Sequence, residues 1–137
     1  MEIIQDKAFS VTAKVKLTLR TDEGFFGPGV CELLERIRET GSIRAAAAGM
    51  ELSYTKAWKI LNRAEKELGA SLITRVSGGR HGGSSTLTEA GAGIVRDYRE
   101  MEGKLSAYAD ELMKTHWHPF EGNGRSTKAA AGEENYA

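Results

Sequence analysis

Ser42 to Leu68 reads SIRAAAAGMELSYTKAWKILNRAEKEL, and this stretch leaves few folds open. Ser42 stands where an N-cap belongs, and Ala45 to Ala48 give a short helix, Ile43 to Gly49, that a neighbour can approach closely on nearly every side. Met50-Glu51-Leu52 interrupts it, with Leu52 as an apolar peg beneath the turn. Ser53 caps a longer helix in which Ala57, Ile60, Leu61, Ala64 and Leu68 form one buried stripe, and Gly69 ends it. A short helix, a tight break and a basic second helix make a helix-turn-helix, a unit that sets one helix into the major groove of DNA.

The flanking sequence extends this unit. Pro28 to Thr40 predicts a helix, with proline preorganised for its first turn and Gly41 as its stop. Upstream, Val11 to Arg20 alternates strictly between apolar and polar residues, the period of a half-buried strand. Thr21 to Gly29, with three glycines and a proline, reads as turn or loop. Downstream, Ser71 to Ser77 and Ser84 to Leu87 read as strands around the glycine-rich tip Gly78 to Gly83. Thr88 and Glu89 then open a helix to about Lys114. Its apolar residues Ile94, Tyr98, Met101, Leu105, Tyr108 and Leu112 alternate steps of four and three, an a/d seam. At ~1.5 Å per residue that helix runs roughly 40 Å, longer than a small domain needs for its own core.

The predicted architecture is mainly α with a small β component: a winged helix-turn-helix with a long C-terminal dimerisation helix. Its parts are an N-terminal strand and loop (1–27), the winged unit (28–87), the long helix (88–115) and an aperiodic tail (116–137) read as disordered.

Composition bounds the function. Formal net charge is zero, but Arg36 to Arg80 holds nine basic side chains against four acidic ones, and the distribution matters more than the sum. Cys31 is the single cysteine, so no internal disulfide forms; between Val30 and Leu33 it reads as a buried thiol in a reducing, cytoplasmic setting. No run approaches the ~20 apolar residues of a membrane span, and MEIIQDKAFS lacks the form of a signal peptide. His116 and His118 have no third ligand near them, so no metal is expected. No nucleophile, base or carboxylate pair has supporting context, so neither an enzyme nor a cofactor is expected.

Ser53, Tyr54, Thr55, Lys56, Lys59 and Arg63 lie off the buried stripe of the capped helix and are the candidates for DNA contact. Hydroxyls suit phosphates or nearby base edges, and Lys56 and Lys59 have the reach for guanine. Arg63, two turns in, suits a phosphate, as does Arg44 beside the N-terminal amides of its own helix. The rival reading of these residues is an ordinary solvated helix face. The glycine-rich tip is either a surface loop or a wing that lays Arg75, Arg80 and His81 on the DNA backbone or in the minor groove. Trp58 is either a packing residue or a base contact. The 94-98-101-105-108-112 stripe is either a dimer seam or internal core.

The stretch also resembles a known family. Gly41-Ser42-Ile43, Ala45 to Ala48, Ser53-Tyr54, Ala57-Trp58, Thr74-Arg75, Gly78 to Gly83 and Leu87-Thr88-Glu89-Ala90-Gly91 are similar to the N-terminal DNA-binding domain of ModE-type molybdate-responsive regulators, and more broadly to the LysR-type helix-turn-helix. The resemblance covers roughly residues 11 to 114. It implies a homodimeric transcription regulator acting on a pseudo-palindromic operator in double-stranded DNA, with no membrane association. Two departures stand out. The family's paired β-barrels that bind molybdate have no counterpart in this sequence, so molybdate sensing is not carried over, and a separate ligand-sensing partner stays open. Lys59 stands where the family tends to carry an acid. The rival function is a protein-interaction adaptor, a winged helix that has lost DNA binding and pairs with another regulator.

Overall fold

The computed structural model describes residues 11–76 and 83–119. Its elements in chain order are β1 (Leu19–Arg20), β2 (Gly24–Phe26), α1 (Pro28–Thr40), α2 (Ile43–Gly49), α3 (Tyr54–Leu68), β3 (Ile73–Val76), β4 (Ser84–Leu87) and α4 (Glu89–His116). The chain divides into two compact units, Lys16–Lys104 and the pair of segments Met1–Val15 with Leu105–Ala137.

The core lies in the first unit. α1 contributes Cys31, Leu33, Leu34 and Ile37; α2 contributes Ile43, Ala46 and Ala47; α3 contributes Ala57, Leu61 and Ala64. Phe26 of β2, Leu72 just before β3, Ile73 of β3, and Val95 and Tyr98 of α4 close it. The alanines of α2 and α3 leave room for close helix approach around Ile43 and Leu61, so the three helices pack into one core.

Local chemistry sets each helix boundary. Gly41 ends α1 at φ 73°, its N–H donating to the Ile37 carbonyl at 2.8 Å. Its own carbonyl accepts from Ser85 N–H at 2.8 Å, which ties the α1–α2 junction to the second hairpin. The Ser42 hydroxyl caps α2 by accepting from Ala45 N–H at 2.9 Å. α2 ends in a Schellman turn: Leu52 N–H donates to the Ala47 carbonyl (2.9 Å) and Glu51 N–H to that of Ala48 (3.1 Å), with Glu51 in the left-handed region at φ 58°. Leu52 folds back against the core, as expected of the peg. Ser53 caps α3 by accepting from Lys56 N–H at 3.0 Å.

The junction of α3 with α4 is tightly packed. Glu65 Oε2 accepts from Leu72 N–H at 2.8 Å. Thr88 N–H donates to the Leu72 carbonyl at 3.0 Å, and the Thr88 hydroxyl donates to the Ser71 carbonyl at 2.6 Å while accepting from Gly91 N–H at 2.9 Å. A Cβ on Gly91 would overlap the Leu72 carbonyl oxygen. Helix propensity alone makes Gly→Ala stabilising by ~1 kcal/mol; overpacking against backbone costs about 1–3 kcal/mol. Gly91→Ala is therefore expected to lower the melting temperature. Gly103→Ala, where nothing lies within 4 Å of the added Cβ, is expected to raise it. A thermal melt of the two variants checks the opposite signs.

Three expectations from sequence need correction. Of the strand expected over Val11 to Arg20, only Leu19–Arg20 enters a ladder. The alternation is present, but strand pairing needs a partner, and β2 is only three residues long; it pairs Leu19 with Phe26 and Arg20 with Gly24 around an irregularity in register. β2 itself falls in the stretch read as loop, because its flanking glycines mask the Phe25-Phe26 pair. The strand expected over Ser71 to Ser77 begins at Ile73, since Ser71 and Leu72 are occupied with the α3–α4 junction. β3 and β4 then pair antiparallel in unbroken register from Ile73↔Leu87 to Val76↔Ser84. Of the glycine-rich tip expected at Gly78 to Gly83, all but Gly83 lies outside the described residues, as do Ser77 and all but the first few residues of the tail.

Candidate nucleic-acid interface

α3 buries Ala57, Leu61 and Ala64 and exposes Thr55, Lys56, Lys59, Asn62, Arg63 and Lys66. The exposed set occupies a continuous outward face, because positions three and four apart share one side of a helix. Thr55, Lys56, Lys59 and Arg63 are candidates from sequence. Asn62, between Lys59 and Arg63, is not among them, because it carries neither a charge nor a hydroxyl to mark it in sequence. An exposed amide in such a run is the signal for it, since Asn pairs bidentately with adenine. Ser53 spends its acceptor on the cap, which leaves its hydroxyl hydrogen available. Arg63 is drawn toward Glu23 of the β1–β2 turn, Nη2 to Oε1 at 3.6 Å, which tempers its charge.

Two further candidates flank α3. The Arg44 guanidinium, exposed on α2, sits over the Tyr54 ring with its carbon 4.2 Å from the centroid. The Arg75 guanidinium, exposed on β3, sits over the Trp58 ring at 4.9 Å. Tyr54 and Trp58 meet edge-on, centroids 6.3 Å apart at 86°. The structure thus brings together Arg44, Tyr54, Trp58 and Arg75 from three elements. Arg80 and His81 lie outside the described residues.

The apolar stripe of α4 is divided in its surroundings. Tyr98 is wholly buried, packs on Phe26 with ring centroids 5.3 Å apart, and donates its hydroxyl to the Leu17 carbonyl at 2.6 Å. Ile94 packs partly against the same core. Met101, Leu105, Tyr108 and Leu112 are 38–61% exposed. Beside Tyr98, Arg99 grips both carboxylate oxygens of Glu35 on α1, at 2.8 and 3.0 Å, and reaches Glu102 at 2.7 Å. That bond to Arg99 holds the Glu35 carboxyl below the usual range. Burial pushes the Cys31 thiol up to about 11, so it is protonated and unreactive at neutral pH.

Among the described residues no three His, Cys, Asp or Glu side chains converge to hold a metal ion, and no helix is long and apolar enough to cross a membrane.

Residues 30–92 match the family described as bacterial regulatory helix-turn-helix protein, lysR family. The molybdenum transport protein ModE of Azotobacter vinelandii is 37% identical over 100 residues, covering 72% of this chain and 37% of that protein. ModE of Herbaspirillum seropedicae is 36% identical over 92 residues, 67% of this chain and 32% of that one. The DNA-binding transcriptional dual regulator ModE of Escherichia coli is 32% identical over 87 residues, 63% and 33% respectively. The chain spans about a third of the length of these relatives. A variant of Lactococcus lactis ZitR superposes with a TM-score of 0.48 at 14% identity, over 96% of this chain and 89% of that chain, too distant to bear on the fold.

With its capped α3, its hairpin and its match over residues 30–92, this is a LysR-type winged helix-turn-helix, the module of a family of DNA-binding regulators. Within that class it is a DNA-binding domain of the ModE type.

Proposed function

We propose that this chain is a sequence-specific DNA-binding transcription regulator that acts as a homodimer. The observation that carries the reading is the outward face of α3, where Thr55, Lys56, Lys59, Asn62 and Arg63 stand exposed on a helix whose opposite face is locked into the core. α3 enters the major groove by its N-terminal end, Lys56, Lys59 and Asn62 read base edges, and Arg44, Arg63 and Arg75 hold phosphates on either side. The exposed Met101, Leu105, Tyr108 and Leu112 of α4 meet the same residues of a second copy. A two-fold dimer reads two half-sites about 34 Å apart, or a multiple of that.

The test is retention of genomic fragments by the purified protein at moderate salt, followed by sequencing. An inverted-repeat motif is expected, with affinity that falls steeply as salt rises. Uniform retention of all fragments would overturn the sequence specificity. Absence of retention at low salt would overturn DNA binding itself and favour an adaptor that pairs with another regulator.

A further inference from the structure

Of the arginines described, Arg36, Arg63, Arg96 and Arg99 each face a carboxylate within 4.0 Å. Arg99 also lies over a ring, that of Tyr98 at 5.9 Å, but only Arg44 and Arg75 combine a place over an aromatic ring with no ion pair among the described residues. A guanidinium stacked on a ring uses its flat face and keeps its N–H edges, the part that binds phosphate, unoccupied. Both rings belong to α3, on the flank of the helix adjoining the exposed face. Tyr54 and Trp58 are one turn apart and brace each other edge-on. α2, α3 and β3 are joined through this cation–ring–ring–cation row, and the row ends on each side in a guanidinium that forms no ion pair among the described residues.

We infer that Trp58, braced by Tyr54, is a positioning residue that aims the Arg75 guanidinium at a DNA backbone phosphate beside the groove occupied by α3. Tyr54 does the same for Arg44 on the opposite side. The inference rests on the DNA-binding reading and adds to it a mechanical link: seating α3 also sets the base of the wing. Trp58 itself touches no base. An unbraced arginine pays a larger ordering cost on reaching a phosphate, because its long side chain starts from many rotamers.

The experiment is a double-mutant cycle on the full chain, with affinity for a selected duplex measured across a salt series. Trp58→Leu is expected to weaken binding about two- to fivefold, the size of an exposed cation–ring contact. The log–log salt slope is expected to fall toward that of Arg75→Ala, which loses about 0.9 for one phosphate. Trp58→Phe keeps a ring and is expected to keep the slope. In an Arg75→Ala background Trp58→Leu is expected to cost nothing further. Additive losses, or loss of slope in Trp58→Phe equal to that in Trp58→Leu, would overturn the positioning role. If Trp58→Leu does not fold, Arg75→Ala decides in its place, read by Trp58 emission in a Trp117→Phe background: a change on removing the guanidinium supports the platform, and none refutes it. If the parent chain binds DNA with a normal slope while these comparisons fail, only this inference falls. If the parent chain binds no DNA, the functional reading falls with it.

Discussion

Replacing Lys56 and Lys59 together with alanine is expected to lower affinity for the specific site by roughly 30-fold to 20,000-fold, since each specific base contact is worth ~1–3 kcal/mol of discrimination. Both side chains are exposed, and among the described residues neither forms an ion pair, so their removal strands no partner. The folded state should change by less than about 0.5 kcal/mol, the range for surface substitutions away from special features. Loss of binding with an unchanged melt therefore isolates recognition from folding. Arg63→Ala should be milder, because Glu23 already competes for that guanidinium. Fluorescence anisotropy on specific and scrambled duplexes is the measurement. Equal affinity of the double variant and the parent for the specific duplex would remove α3's N-terminal half from the reading surface.

Much of the winged unit was legible because its boundaries are written in single residues. Ser42 and Ser53 cap where their spacing says, and Gly41 and Gly69 stop helices in the left-handed conformation that favours glycine. The turn at Glu51 was visible as a break but not as a Schellman motif, since the left-handed residue there is not glycine. β1 and β2 were misjudged for another reason. Alternation from Val11 to Arg20 reports which side chains share a face, not whether a partner strand exists, and the partner is Gly24–Phe26 across a tight turn. Val11 and Val15 remain more than 40% exposed.

The candidate interface was legible in composition and less so in geometry. Lys56 and Lys59 follow from the pattern of α3 alone. The proposed role of Tyr54 and Trp58 depends on where α2 and β3 place Arg44 and Arg75, which are 10 and 17 residues away in sequence from the ring each covers. No periodicity carries that information. Gly91 is a similar case: its place in a helix looks unfavourable until the Leu72 carbonyl is set against it.

The a/d stripe of α4 joins a core role to the proposed dimer seam, which periodicity cannot separate and substitution can. Tyr98→Ala is expected to destabilise the fold by about 3–5 kcal/mol, the usual loss for truncating a large buried aromatic. Tyr98→Phe is expected to cost about 1–3 kcal/mol through the Leu17 carbonyl, left without its donor. Both losses should appear in a chemical melt at low protein concentration, because Phe26 and Leu17 belong to the same chain. Leu105→Glu with Leu112→Glu is expected to do the opposite. Those side chains are each 38% exposed, so charge there leaves the core of Lys16–Lys104 intact while placing like charges across the proposed dimer seam. Sedimentation should then show a monomer with a near-parental melt. Operator affinity should fall by at least about 100-fold, since linked half-site binding gives up its effective concentration. A Tyr98→Ala protein that stays folded and merely dissociates would mean that the whole stripe is seam. A Leu105→Glu, Leu112→Glu protein that stays dimeric would move the two-fold contact away from α4.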